Sequence, residues 1–258
     1  MIKFIICCLC VYFIAGSITT TTTVVNSMAL SCYAASKNKE PIRQVLSDVI
    51  DRKKAALKDT SSSSSSGNTG SNSAVSQVRV LEIASGTGEH AHYFADSIGG
   101  LLYQPTEPEE RMMNSIKAWT DTINSDSIVY PPIAFDVTNE GIDVILPLDF
   151  INNQVDVMIC INMIHISPIA CTDALFRVAH QLLRQDGMLL TYGPYRVDGS
   201  MVESNVVFDE SLKARNPEWG VRDLEVVRDL AEKHGIELAQ SIHMPSNNMC
   251  LLFRRCLP

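Results

Sequence analysis

The sequence lacks a surplus of positive charge. Lysine and arginine total 21 against 29 aspartates and glutamates, and the longest basic run is Arg52-Lys53-Lys54. Proteins that hold nucleic acid neutralise its phosphates with a basic face, so no nucleic-acid partner is expected and a small-molecule substrate is favoured. The short basic run fits the solvated side of a helix. Metal-spaced cysteines are missing too. Of the 8 cysteines only Cys7 and Cys10 are spaced as CxxC, inside an apolar N-terminal stretch that is the wrong place for zinc, and Cys32, Cys160, Cys171, Cys250 and Cys256 are scattered. Neither a metal nor a disulfide framework is expected, and the folded part reads as a reduced domain.

A third absence is an apolar run of the ~20 residues that a membrane-spanning helix needs. The nearest candidate runs from Phe4 to Ala15, with Lys3 before it and Gly16, Ser17 and a threonine run after it. That is the layout of a secretory signal, and Ser27-Met28-Ala29 supplies a small-x-small cleavage site. Residues 1–29 are therefore expected to be a targeting segment, for the secretory route or, as the first half of a two-step signal, for an organelle. The alternative is initiation at Met28 and a cytoplasmic protein. No stable membrane span is expected, and the sequence carries no signal for an oligomeric state.

Beyond this segment, Pro41 opens a stretch in which Ile42, Val45, Leu46, Val49 and Ile50 fall on one helical face. Residues 37–58 are expected to form a helix packed on the main domain. Residues 59–77, rich in serine and glycine, read as a flexible linker. From residue 78 to 258 strands and helices alternate. The expected strands are 78–84, 101–103, 133–137, 155–163 and 188–192. Helices are expected after the glycine turn at 86–88, from Pro108, over 168–186 with Gly187 as its stop, and over 222–234. A hairpin, 236–244 and 249–255, closes the chain. Continuous apolar strands between amphipathic helices indicate an α/β fold with a doubly wound, mostly parallel sheet covered on both faces. The hairpin adds one antiparallel strand.

The first strand ends in LEIASGTGEH. Gly86, Gly88 and Ala91 satisfy the dinucleotide pattern G-x-G-x-x-A, and Glu107 stands about 20 residues on, where a ribose-binding acid belongs. An NAD(P)-dependent oxidoreductase is therefore one reading. Glu82 favours another. It interrupts an apolar strand, and a buried carboxylate costs several kcal/mol unless it is paired. In an S-adenosylmethionine site an acid there helps hold the turn and the amino end of the methionine moiety. Glu82-x-Ala84-Ser85-Gly86-x-Gly88 resembles the acid-x-Gly-x-Gly-x-Gly motif of that site, with Ala84 in place of the first glycine. Glu107 then falls where an acid meets the ribose hydroxyls. Asp136 and Val137 fall where the adenine amino group lies, and Asn162 and Met163 at the carboxyl edge of the fourth strand. The reversed last strand agrees with this reading, since a dinucleotide domain usually ends in a parallel one.

The segments KNKEPI, LEIASGTGEHAHYFA, YQPTEPEE, INMIHISP, YGPYR and MPSNN resemble the methyltransferase-like protein 26 family, over residues 37–58 and 78–255. The resemblance implies the class I methyltransferase (Rossmann-like) fold and S-adenosyl-L-methionine as cofactor. It names no methyl acceptor.

Methyl transfer needs an aligned nucleophile, and a base only when the acceptor must first lose a proton. His165 is the histidine nearest the expected cleft, with a structural role as its alternative. Tyr195 and Tyr192 flank Gly193-Pro194 and are candidates for catalysis and the substrate wall respectively. Asn205 and Arg222 lie in the long insert after the fifth strand, where an insert often covers the site, and the Arg215–Arg222 stretch suits an anionic substrate. Lys37 and Asn38, ahead of the N-terminal helix, are further substrate candidates. His90 and His92 diverge on their helix, so they are not a metal pair. The reading is a small-molecule methyltransferase, with an oxidoreductase or a non-catalytic binding protein on the same fold as alternatives.

Overall fold

A computed structural model describes residues 11–12, 28–62, 77–151 and 154–256. Most of the expected targeting segment (1–29) and of the expected linker (59–77) lies outside the described residues. The chain forms one seven-stranded sheet with helices on both faces. Its elements are α1 (Tyr33–Ser62), β1 (Val78–Ile83), α2 (Glu89–Ile98), β2 (Leu101–Pro105), α3 (Glu110–Thr120), β3 (Ile128–Val129), β4 (Val155–Ile161), α4 (Ile169–Leu182), β5 (Leu183–Gly193), α5 (Glu203–Arg215), α6 (Leu224–Lys233), β6 (Ile236–Met244) and β7 (Asn248–Arg255). The strand order is β6-β7-β5-β4-β1-β2-β3. β7 runs antiparallel to both its neighbours, while β1 to β5 are mutually parallel. Strand order reverses between β1 and β4, which makes a crevice at their carboxyl ends.

Side-chain alternation divides the core in two, as a period of two along each strand requires. Val78, Val80, Val157, Ile159, Leu190 and Leu252 face Ile42, Leu46, Val49 and Ile50 of α1 and Phe94 of α2. Leu81, Ile83, Met158, Cys160, Leu189, Leu251 and Phe253 face Leu175, Phe176 and Ala179 of α4 and Val227 of α6.

Three expected boundaries move, each for a physical reason. The N-terminal helix starts at Tyr33 and carries Pro41 in its interior, not at its start. Its first turns are held from outside by α2, as described below, which offsets the missing proline donor. The third strand is Ile128–Val129 rather than 133–137, and Ile133 makes only an isolated bridge to Thr106. Pro131 and Pro132 lie between, and proline cannot donate to a ladder. Finally, α4 stops at Leu182 and β5 begins at Leu183, so Gly187 lies inside a strand. Arg184 then reaches Asp156, a fully buried carboxylate on β4, at 2.9 Å. A longer helix would forfeit that pairing.

Leu46 is fully enclosed between α1 and the sheet. Leu46→Ala should lower stability by roughly 2–5 kcal/mol in urea unfolding, as for deletion of any tightly packed core leucine. A loss below about 1 kcal/mol would show that α1 is not a full member of the core.

Candidate functional site

The turn after β1 is built from left-handed residues at alternate positions: Ala84 (φ 55), Gly86 (φ 56) and Gly88 (φ 87). Gly88 admits no side chain, because a Cβ there would stand 2.5 Å from the Ile116 Cα. At Gly86 a Cβ would meet nothing within 4 Å, so the backbone borders open space, as a cradle for a ligand must. Ala84 holds a conformation that costs an L-residue roughly 1–2 kcal/mol. Neighbouring strands lock the turn. Ser85 N donates to Thr106 O at 2.8 Å, and the Thr106 N–H and hydroxyl both donate to Glu82 O.

Glu107, expected at the ribose, lies under this turn. Its carboxylate accepts from Gly86 N at 2.9 Å and from Glu109 N at 3.2 Å. Burial raises its pKa to about 7 against these two donors. Glu82 is 1% exposed and sits below the same turn, with its pKa raised by burial to about 7. Its Oε2, the Ser85 hydroxyl and the Tyr103 hydroxyl are all buried and make no hydrogen bond of normal geometry. The Ser85 and Tyr103 hydroxyls lie close enough to favour the ionised carboxylate, but not enough to offset its burial. The three groups are one another's nearest polar partners below the turn, and together they make a buried polar cluster under the cradle.

Beside the turn is a pocket walled by Ile83, Ala84, Pro108, Phe135, Asp136, Val137, Met163, Ile166, Ser167 and Cys171. Asp136 is fixed at its edge, its Oδ1 accepting from Thr138 N and Oγ1 at 2.9 and 2.7 Å. Thus Ala84, Asp136, Val137 and Met163 share one pocket, while Glu82, Ser85, Gly86, Gly88 and Glu107 form the turn that borders it.

A second cavity of about 570 Å³ adjoins the first, and Ile166 lines both. Lys37, Asn38, Asn162, Tyr192 and Asn205, from four separate parts of the chain, meet in its wall. Asn162 has φ 60, a conformation asparagine tolerates better than most residues. Asn38 Oδ1 lies 2.7 Å from His90 Nε2, and the Tyr192 hydroxyl accepts from Asn248 Nδ2 at 2.9 Å. Asn205 Nδ2 donates to Asn247 O at 3.0 Å. The tip of the C-terminal hairpin, with Ser246 and Asn247 both at positive φ, closes this wall.

Three expected residues are elsewhere. His165 lines neither pocket. It is 1% exposed, its ring lies edge-on to Tyr195 with centroids 5.3 Å apart, and a Cβ on Gly193 would fall 2.1 Å from its Nε2. Burial, then the charge of Arg222, pushes its pKa down to about 3. The ring is neutral, both of its nitrogens are buried without a hydrogen-bond partner, and its position requires a glycine opposite. Tyr195 lies in the core facing α4 and α6, with its hydroxyl 2.8 Å from Thr191 Oγ1. Arg222 spends its guanidinium on the carbonyls of Ile164, Ser167 and Glu218. It pins the loop after β4 and does not face the cavity. His90 and His92 have separate partners, Asn38 and the Trp119 ring, and no metal-holding cluster occurs among the described residues.

Sequence reasoning did not find Pro108, Ile166, Ser167 and Cys171 in the first pocket, or Tyr33, Pro194 and Asn248 in the second. Most carry no catalytic or charged group, and only the assembled sheet edge brings them together.

A family model described as "Protein of unknown function (DUF938)" matches residues 71–255. Among solved structures, a putative O-methyltransferase from Nostoc punctiforme aligns with a TM-score of 0.58 at 14% identity, covering 69% of this chain and 52% of that one. Human N-acetylserotonin methyltransferase, in complex with S-adenosylmethionine, aligns with a TM-score of 0.56 at 12% identity, covering 69% and 48%. The pyocyanin biosynthetic protein PhzM does so at 0.56 and 13%, covering 69% and 50%. The chain thus spans about half the length of these structures. The likeness establishes the class I methyltransferase fold.

Two outcomes are expected at the turn. Ala84→Gly should raise stability by up to about 1 kcal/mol in chemical unfolding, since relief of the left-handed strain exceeds the added unfolded-state entropy. A clear loss would mean that the methyl group is packed, not strained. Glu82→Gln tests the buried acid. The unfolded chain releases this proton near the ordinary value of 4.5, the folded chain only near 7. Its protonated form therefore favours folding fully below the ordinary value, and that contribution is lost as pH rises through about 7. Relative to wild type, Glu82→Gln should gain stability between pH 5 and pH 8, at up to about 1.4 kcal/mol per pH unit within the window. A pH-independent difference would show that Glu82 is ionised throughout.

Proposed function

The chain belongs to the DUF938 family, and from that premise we propose that it is an S-adenosylmethionine-dependent methyltransferase acting on a small molecule. The observation that carries the reading is the crevice at the β1/β4 switch point. There an open glycine cradle, two buried acids and an apolar pocket converge within one sheet edge. S-adenosylmethionine, when bound, supplies a methyl group made electrophilic by its sulfonium.

The residues present fit that group. Ile83, Phe135, Val137 and Met163 offer apolar faces to adenine, with Asp136 at the rim to accept from its amine. Glu107, already fixed by two backbone donors, would be the acid for the ribose hydroxyls. The amides of the turn would hold the charged methionine end, with the buried Glu82 below them supporting the turn. No histidine, aspartate or glutamate lines the adjoining cavity among the described residues. The chain's contribution is then binding and alignment, which can remove much of a transfer barrier unaided. Several structural neighbours carry methyltransferase titles, among them mitomycin 7-O-methyltransferase MmcR, N-acetylserotonin methyltransferase with S-adenosylmethionine, and CalO1 of calicheamicin biosynthesis with S-adenosylhomocysteine bound, which supports the cofactor. As the finer reading we propose the methyltransferase-like protein 26 branch of the DUF938 family. It is supported by KNKEPI and MPSNN, whose Lys37, Asn38, Pro41, Ser246 and Asn248 line the acceptor cavity.

The full chain should bind S-adenosylhomocysteine, and not NAD or NADP, by calorimetry. Glu107→Ala should weaken that binding at least about tenfold, the loss of one to two charge-assisted hydrogen bonds. Binding of NAD in its place would move the protein to the oxidoreductases. Absence of any cofactor binding would leave a binding protein on a methyltransferase fold.

A further inference from the structure

On the premise that the chain is a methyltransferase, we infer that its acceptor cavity takes an apolar molecule of aromatic size that carries a carboxylate, held at the mouth by Lys37 and Arg215. At about 570 Å³ the cavity is in the range of small-molecule sites. Its walls are mostly apolar, with Tyr33 from α1, Phe208 from α5 and Ile166 at the boundary with the cofactor pocket.

The charge in the lining is of one sign. Lys37 and Arg215 are its ionisable cations, and no aspartate or glutamate joins them. This is unusual in a chain of net charge −8, because other cations nearby are paired. Lys39 holds Glu89, Arg43 holds Glu40 and Lys213 holds Asp209. Lys37 and Arg215 have no carboxylate partner among the described residues. Each rests on an aromatic face instead, Lys37 Nζ at 5.6 Å from the Tyr33 ring and the Arg215 guanidinium at 5.5 Å from Trp219. Arg215 Nε also donates to Ser211 O at 3.3 Å, which leaves its two terminal nitrogens for a ligand. The guanidinium fork matches a carboxylate in plane and spacing.

The two cations come from opposite ends of the chain, 37 on α1 and 215 at the end of α5. They converge only because α1 and the β5–β6 insert both cover the same sheet edge. An apolar chamber with a neutral polar floor (Asn162, Tyr192) and a cationic rim selects for amphipathic anions. Such a ligand places its apolar body inward, toward Ile166, and its charge outward.

The test uses the full chain and two probes of equal shape, 2-naphthoate and the neutral 2-naphthamide, titrated by calorimetry at low and high salt. The naphthoate should bind about tenfold more tightly than the amide at low salt, the margin of one charge-assisted pair. The Lys37→Gln/Arg215→Gln double variant should reduce that preference to within about twofold. Both side chains are exposed, so thermal unfolding of the variant should match wild type, and S-adenosylhomocysteine affinity should be unchanged. Equal affinity for the two probes, a preference that survives the double variant, or no saturable binding of naphthoate each overturns the inference. If S-adenosylhomocysteine binds while the preference is absent, the cavity inference alone fails. If the preference is present but no cofactor binds, the methyltransferase reading fails and the anion site stands.

Discussion

A single buried carboxylate, Glu89, fixes the position on which both pockets depend. It opens α2, directly after the glycine turn, and is 3% exposed. Three donors from the N-terminal segment converge on it: Cys32 N at 3.2 Å, Ser36 Oγ at 2.7 Å and Lys39 Nζ at 2.9 Å. Burial alone would raise its pKa, but Lys39, Ser36 and the Cys32 amide outweigh it, and the group stays ionised with its pKa lowered. Its place in the first turn of a helix adds the favourable dipole. The contacts continue along the two helices, with Asn38 on His90 and Glu40 on the Tyr93 hydroxyl. The apolar stripe of α1 supplies adhesion to the sheet, yet a stripe of aliphatic side chains tolerates sliding. These polar pairs set the register, and an unpaired Glu89 in the same place would be strongly unfavourable. With α1 held in this register, Tyr33, Lys37 and Asn38 stand over the crevice.

The glycine turn and the pocket beside it were legible in the sequence because the residues that form them are local. Glu82, Gly86, Gly88 and Glu107 are read from a strand end, a turn and the next strand end, and strand order is enough to bring them together. Asp136 and Val137 were also placed at the crevice, although the strand expected to present them is absent. A loop beyond two prolines does so instead, since what matters is where the chain leaves β2 and β3. The second cavity was legible only in part. Lys37, Asn38, Tyr192 and Asn205 were singled out, but their convergence depends on α1 lying across the sheet, which no spacing encodes. His165, Tyr195 and Arg222 also lie near strand ends, but the fold sets their side chains outside the linings of the two pockets. Polar residues near a strand end look functional in sequence, whereas here an edge-on ring pair, a Thr191 hydroxyl and three carbonyls absorb them.

Asp156 and Arg184 show the same limit from the side of the fold. Asp156, a fully buried acid near the start of an apolar strand, accepts from Arg79 N and pairs with Arg184, which α4 frees for that contact by ending at Leu182. The amphipathic pattern favoured a longer helix with Gly187 as its stop. Tertiary pairing overrode that preference, because an uncompensated charge in the core costs more than a lost helical turn.

The division of labour between the pockets follows from topology. The first pocket is made at the middle of the sheet, by the carboxyl ends of β1 and β4 and the loops beside them. The second cavity is made by α1, the C-terminal hairpin and the insert. α1 forms one wall, the β6–β7 hairpin tip another, and α5 a third. Each is tied back by a few specific bonds, Glu89 to Lys39, Asn248 to Tyr192 and Asn205 to Asn247. Residues lining the cavity between those ties, such as Lys37, Phe208 and Arg215, carry neither the sheet nor the turn. They are free to set the shape and charge of the second cavity without disturbing the crevice beside it, and among the described residues Ile166 is the side chain on which a change would be felt in both.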